Sequence, residues 1–399
     1  MISGSKGGRP PGAHGMPQLD YHQTPFLIIW EMTQSCDLAC RHCRASAQPN
    51  ADPAELTTRE GEDLLRQAAA MGVPIFVLSG GDPLKRKDLF HLVRFGSNRG
   101  LRMATVPAAT PLLTEDVVMR LKDSGLSQMA QSIDFPDASL HDAFRKVPGA
   151  FDKSMRAAEW AHKHGLALQV NTTLWRESIP HLPRMVELVK SLGIVFWEVF
   201  FLIPTGRGSE LQGLTPAECE DIFETLYTVQ KENDFLVKVT EAPHYRRFVM
   251  QREAAARGPM DGAAPHDGRA LPQQLTRTEG PGGSIGLAQG GINAGNGFLF
   301  VSHRGEVFPS GFLPLSAGSL RRQRLDWIYR YSPIFRALRH PEQLKGVCGV
   351  CEYNRVCGGS HSRAYALTGN YLASDPWCGY RPGKRRPLPT VPPGCSPAA

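Results

Sequence analysis

Between Phe26 and about Leu236, short apolar runs alternate with stretches whose apolar residues recur at helical spacing. The pattern predicts strands over Phe26 to Met32, Pro74 to Leu78, Leu101 to Val106, Ser127 to Ile133, Ala167 to Leu174 and Val195 to Leu202. Between and after them it predicts helices near Thr58 to Met71, Lys87 to Arg99, Thr114 to Ser124, Phe151 to His164, Leu182 to Leu192 and Pro216 to Glu232. Strands that alternate with helices form a parallel sheet, so the fold class is α/β. Six such units make a partial (β/α)6 barrel, and the sequence that follows offers no two further units to close it. Trp197 and Phe200, aromatic residues inside a strand, are assigned to packing.

The chain divides by composition. Residues 1–24 are rich in Gly and Pro and carry only Lys6, Arg9 and His14 as basic residues before Tyr21. They lack an apolar core segment, so they predict a flexible arm rather than a signal peptide or membrane anchor. The barrel spans 25–251, and 252–297 is a Gly/Pro/Ala-rich linker or insertion ending in Gly-Gly-Ile-Asn-Ala-Gly-Asn-Gly. Residues 298–380 form a smaller Cys-rich unit. It opens with a hairpin of Phe298 to Val301 and Glu306 to Phe308 around His303-Arg304-Gly305, followed by a helix near Leu325 to Leu338. Residues 381–399 are a flexible tail.

Hydrophobic residues make up 41% and charged residues 21% of the 399, the proportions of a globular protein. No run reaches the roughly 18 apolar residues of a spanning helix, and Glu198 interrupts the longest, Ile194 to Ile203, so a cytoplasmic location is expected. The net charge of +7 is partly concentrated in Arg321-Arg322-Gln323-Arg324 and Lys384-Arg385-Arg386. Such short runs are solvated surface before they are a nucleic-acid interface, and neither nucleic acid nor membrane is expected as a partner.

The nine cysteines change the picture most. Disulfide frameworks belong to small secreted chains, whereas Cys clusters in a large intracellular chain point to metal. Seven of the nine fall in two groups, leaving Cys219 and Cys395 over. Cys36, Cys40 and Cys43 form a CxxxCxxC loop just after the first strand. Three thiolates so close together can hold three corners of an iron-sulfur cube and leave the fourth iron open. The same thiols with His42 or a distant ligand also suit zinc. Cys348, Cys351, Cys357 and Cys378 form the second group, a closed set of four that fits a cluster or a zinc ribbon.

The CxxxCxxC loop is followed about 35 residues later by Ser79-Gly80-Gly81-Asp82-Pro83 at the end of the second strand. Together the two segments resemble the radical SAM superfamily. The resemblance implies that Cys36, Cys40 and Cys43 hold a [4Fe-4S] cluster whose open iron binds S-adenosyl-L-methionine (SAM), and that Gly80, Gly81, Asp82 and Pro83 support the SAM amino group. It departs from the pattern at Asp82, where Glu is usual, and at His42, where an aromatic residue is common and adenine contact is implied. Ser132 and Asp134 after the fourth strand, with Arg145 in His141-Asp142-Ala143-Phe144-Arg145, match a family segment in which the arginine pairs with the SAM carboxylate. Asn171, with Gln169 on the same face, is the candidate for a ribose hydroxyl. The loop Pro204-Thr205-Gly206-Arg207-Gly208 is a candidate for backbone contact to adenine or methionine.

The second Cys group resembles the SPASM or twitch extension of these enzymes. A complete SPASM domain has further cysteines where this chain has His361 and Ser310, so one auxiliary [4Fe-4S] cluster is implied, with His361 either packed or acting as a ligand or proton donor. The implied activity is reductive cleavage of SAM to a 5′-deoxyadenosyl radical that abstracts hydrogen from a substrate, with a flavodoxin or ferredoxin as electron donor. The segment Gly80 to Leu89 most resembles the haem d1 and iron-coproporphyrin decarboxylase branch, which implies a tetrapyrrole propionate as substrate. A ribosomal peptide maturase and a non-enzymatic electron carrier are the other two readings.

Overall fold

The computed structural model describes residues 19–257 and 291–383. The first 18 residues, most of the predicted linker, the run Lys384-Arg385-Arg386 and Cys395 lie outside them.

All six predicted strands form, as β1 (Leu27–Glu31), β2 (Ile75–Ser79), β3 (Arg102–Thr105), β4 (Gln128–Ser132), β5 (Ala167–Leu174) and β6 (Phe196–Phe201), paired parallel in chain order. The helices that join them are α1 (Thr58–Ala70), α2 (Leu89–Ser97), α3 (Glu115–Asp123), α4 (Ala138–Arg145), α5 (Ala150–Lys163) and α6 (Leu182–Ser191), with α7 (Pro216–Glu232) following β6. Local chemistry fixes where several of them start. Thr57 and Thr215 each accept a hydrogen bond from the backbone three residues on, while Glu60 and Glu218 reach back, two capping boxes that satisfy otherwise orphaned N–H groups. Among α1 to α7, only α4 had no counterpart among the predicted helices.

The sheet runs further than six units. β7 (Leu236–Thr240) pairs parallel with β6, and α8 (His244–Arg257) follows it. β7 is short, with Val237 and Val239 alternating with Lys238 and Thr240, and it lies just beyond the last strand that the sequence reading marked. The predicted hairpin is present as β8 (Phe298–Val301) and β9 (Glu306–Phe308), but β8 also pairs parallel with β1, and β10 (Gly318–Ser319) adds a last strand. The order β10-β9-β8-β1-β2-β3-β4-β5-β6-β7 makes one ten-stranded sheet, so the hairpin assigned to the smaller unit continues the barrel wall.

The predicted helix from Leu325 to Leu338 is two, α9 (Leu325–Tyr331) and α10 (Pro333–Leu338). Pro333 forces the break: Ser332 before it is extended, with φ −60° and ψ 133°, because the pyrrolidine ring disfavours helix at the preceding residue. The last helices among the described residues are α11 (Gly346–Gly349) and α12 (His361–Thr368).

Successive strand residues point to opposite faces. Ile28, Trp30, Phe76, Leu78, Val170 and Trp197 face outward into one large core with the helices, and Gly61 of α1 lies so close to Trp30 that a Cβ there would come within 2.6 Å of the indole. The opposite face of the same strands lines a cavity. Trp197 is fully buried as expected, whereas Phe200 belongs to the cavity wall. Residues 19–24 of the predicted arm are docked: Leu19 and Tyr21 pack on a small core cluster, and the Tyr329 hydroxyl donates to the Tyr21 carbonyl at 2.7 Å. Arg321, Arg322 and Arg324 make ion pairs with Glu60, Glu306 and Asp326, as a solvated surface run does. Among the described residues no helix is long and apolar enough to cross a membrane.

Candidate active site

The Cys36–Cys43 loop leaves the C-terminal end of β1 and is tied down from three sides. Cys36 N–H donates to Gln48 (2.8 Å), and Ala39 and Arg41 donate to the Arg145 and Phe144 carbonyls at the end of α4. The loop after β6 closes the third side. Arg207 donates through its backbone to the Cys43 carbonyl (3.1 Å) and through Nε to the Cys40 carbonyl (2.9 Å). Gly206 sits against this loop with φ +56°, and a Cβ there would lie 2.3 Å from the Arg44 carbonyl oxygen. Gly206, in a loop expected to approach a ligand, and Arg207 thus buttress the Cys loop.

The Gly80-Gly81 turn closes on the same strand end. Gly81 N–H donates to the Thr33 carbonyl (2.8 Å) and Asp82 N–H to that of Ser35 (2.7 Å). Asp82 does not reach the cavity. Fully buried, its carboxylate accepts from Thr110 Oγ1 (2.8 Å) and from the Leu84 and Ala108 backbone N–H groups, so it and Pro83 hold the turn from behind. Its burial raises its pKa, and these hydrogen bonds work against that rise.

Arg145 is nearly buried and already paired within the protein, to Asp134, with Nη1 3.6 Å from Cys40 Sγ. Burial by itself would raise the Asp134 carboxyl; Arg145, with the hydrogen bond from the Thr173 backbone N–H, holds it below the ordinary range. The arginine implied to bind the SAM carboxylate therefore carries a buried internal ion pair that braces the Cys loop. His42 lies flat on Phe144 with ring centroids 4.8 Å apart, and Phe144 stacks in turn on Trp175 at 4.3 Å. Burial pushes the His42 pKa down to about 4, so the ring is neutral near pH 7.

Register aligns a polar row across the wall: Ser132 pairs with Asn171, Asn171 with Glu198 and Glu198 with Lys238. Glu198 accepts from Lys238 (2.7 Å), Thr240 (2.6 Å) and Gln169 (2.9 Å), and Gln169 also donates to Asn171. Cys36, Cys40, Cys43, Gly80, Gly81, Ser132, Asp134, Arg145 and Asn171 all line one cavity of about 450 Å³, whose remaining wall is largely apolar. Sequence reading missed Arg207, Glu198 and the buried Glu31, which pairs with Arg44. An acid inside the apolar run Ile28 to Met32 was the available signal for Glu31.

Cys348, Cys351, Cys357 and Cys378 line a second cavity of about 300 Å³ with His244, Arg247 and Asp375. His361 is not in that wall: it is packed, its Nδ1 bonded to the Tyr371 carbonyl at 2.7 Å. Ser310 lies elsewhere too, bonded to Glu241. Cys219 is buried in the core of α7. Burial pushes the Cys36 and Cys378 thiols up to about 11, so metal loading at either site must displace protons. The donor set at both places, all thiol, suits iron-sulfur ligation.

The model of the radical SAM superfamily matches residues 30–189. An AdoMet-dependent heme synthase of Methanosarcina barkeri is 41% identical over 90% of this chain and 98% of its own length. The chain belongs to the radical SAM superfamily. An AdoMet-dependent heme synthase of Oleidesulfovibrio alaskensis is 38% identical over 95% of this chain and 94% of its own length. Among solved structures, SuiB of Streptococcus suis has the same fold, with a TM-score of 0.65 at 16% identity over 90% of this chain and 78% of that one. The radical SAM protein is thus an enzyme that works with a [4Fe-4S] cluster and SAM, and the electron-carrier reading falls.

Proposed function

We propose that this radical SAM enzyme acts on a propionate side chain of an iron tetrapyrrole in haem-type biosynthesis. The observation that carries the reading is the single cavity onto which the Cys loop, the Gly80-Gly81 turn, the polar row and an extended apolar wall all open. Such a wall suits a flat apolar macrocycle, and the names of the relatives at 41% and 38% identity point to the same substrate class.

In this reading Cys36, Cys40 and Cys43 hold the SAM-binding cluster, and Cys348, Cys351, Cys357 and Cys378 hold one auxiliary cluster. Bound SAM and its cluster supply the 5′-deoxyadenosyl radical that takes hydrogen from the substrate. The chain's own residues position and exclude. Gly80 and Gly81 offer backbone to the SAM amino group because no side chain intervenes. Ser132 and Asn171 face the ribose. Arg145 and Asp134 keep the Cys loop in place, and the apolar wall keeps water from the reacting carbon. The enzyme works in the cytoplasm with a flavodoxin or ferredoxin as reductant.

The test is anaerobic incubation with SAM, a strong reductant and iron-coproporphyrin, followed by mass spectrometry of the porphyrin. Loss of carboxyl groups is expected; a porphyrin of unchanged mass beside consumed SAM would overturn the substrate assignment.

A further inference from the structure

Charge accounting around the large cavity leaves one cation over. Four basic side chains line it: Arg44, Arg145, Lys238 and Arg246. Arg44 is paired with Glu31, Arg145 with Asp134 and Lys238 with Glu198. Arg246, in the first turn of α8, has no carboxylate partner among the described residues. Its Nη1 donates to the Val356 carbonyl at 2.9 Å and its Nη2 to that of Ile292. Two neutral carbonyls aim the guanidinium without cancelling its charge. The remaining acid of this wall is no counter-ion to it: Glu241 is occupied by the hydroxyls of Ser310, Ser360 and Ser362.

The place of Arg246 matters as much as its charge. Val356 precedes Cys357, and Asn293, which lines the large cavity, donates to the Cys357 carbonyl at 3.1 Å and that of Gly359 at 2.8 Å. Arg246 therefore stands in the wall that separates the large cavity from the second Cys site. An unpaired, largely desolvated guanidinium with N–H groups to spare binds a carboxylate by charge-assisted hydrogen bonds, and an apolar cavity strengthens them.

We propose that Arg246 receives a substrate carboxylate, anchoring an apolar, carboxylate-bearing ligand against the wall shared with the Cys348–Cys378 site. This rests on the tetrapyrrole reading above and names the residue that recognises its propionate. The other role open to Arg246, offsetting the charge of thiolates at Cys357, is purely local and would leave ligand choice untouched.

The experiment compares binding of iron-coproporphyrin with that of its tetramethyl ester, by absorption titration of reconstituted wild-type, R246Q and R246K proteins in the presence of SAM. The wild type is expected to prefer the free acid by roughly 10- to 100-fold, the worth of one contact to a charged group. R246Q should lose that preference while still binding the ester, and R246K should keep part of it. R246Q with the wild-type preference for the acid overturns the role of Arg246 and leaves the substrate reading standing. A wild-type protein that binds neither porphyrin overturns both. If R246Q binds nothing, R246K decides: an undiminished acid preference there overturns the proposal, because a point charge cannot reproduce the fork.

Discussion

Replacing Gly81 by alanine tests how tightly the glycine turn is fitted to the Cys loop. A Cβ at Gly81 would lie 2.3 Å from the Ser35 carbonyl oxygen and 2.8 Å from the Gln34 carbonyl carbon, both backbone atoms that cannot swing aside. To reach ordinary contact the turn must retreat by about 1 Å, which strains the hydrogen bonds from Gly81 to Thr33 and from Asp82 to Ser35. Overpacking costs about 1–3 kcal/mol and each lost hydrogen bond about 0.5–1.5 kcal/mol, so the loss should be about 2–6 kcal/mol. Gly72 is the control. It has φ +74° and nothing within 4 Å of a Cβ, so Gly72→Ala incurs only backbone strain of about 1–2 kcal/mol. Urea denaturation should rank wild type above G72A and G72A above G81A, and calorimetric SAM binding to reconstituted protein should weaken in G81A alone. A G81A protein as stable as G72A that binds SAM like the wild type would refute the reasoning.

Other variants probe the supports of the site. Arg145→Met leaves Asp134 buried without its partner and should cost about 3–5 kcal/mol by chemical denaturation, part of it recovered when Asp134 is also made apolar. His141 is fully buried, and its Nδ1 accepts from the Asp134 N–H at 3.3 Å. Burial, with Arg145 nearby, lowers its pKa to about 4, so the folded state resists a proton that the unfolded chain takes up near 6.5. Stability from this group is complete above pH 6.5 and falls as pH drops towards 4, by about 1.4 kcal/mol per unit. His141→Gln should therefore flatten the stability profile across that window, and an unchanged slope would contradict the neutral buried ring. Changing Cys36, Cys40 and Cys43 together to Ala should abolish SAM cleavage while the iron bound at the second Cys site, read by absorption and iron content, remains.

Strands and helices with strong periodicity were legible in the sequence, since β5 and α7 run over the predicted residues without change. The reading stopped where tertiary partners decide. β7 was passed over although Val237 and Val239 alternate with Lys238 and Thr240; the two polar side chains meet Glu198 of the neighbouring strand, a partner that only the fold supplies. β8 looked like half of a local hairpin because nothing in a chain marks pairing with β1 more than 260 residues away. At the site, the Cys loop and the glycine turn announced themselves by spacing. The supports did not: Arg207, Arg145 and Asp82 act through carbonyls, a carboxylate and a hydroxyl from other segments. Asp82 and Arg145 had the expected residue types but turn inward, because a loop that must hold three thiolates needs bracing before it needs more ligands.

The most direct measurement is anaerobic 5′-deoxyadenosine formation by the reconstituted protein with SAM and a strong reductant, with and without iron-coproporphyrin. The account predicts release that the porphyrin stimulates and that disappears in the Cys36/Cys40/Cys43 variant. Absence of 5′-deoxyadenosine from a fully clustered wild-type protein, with or without porphyrin, would contradict it.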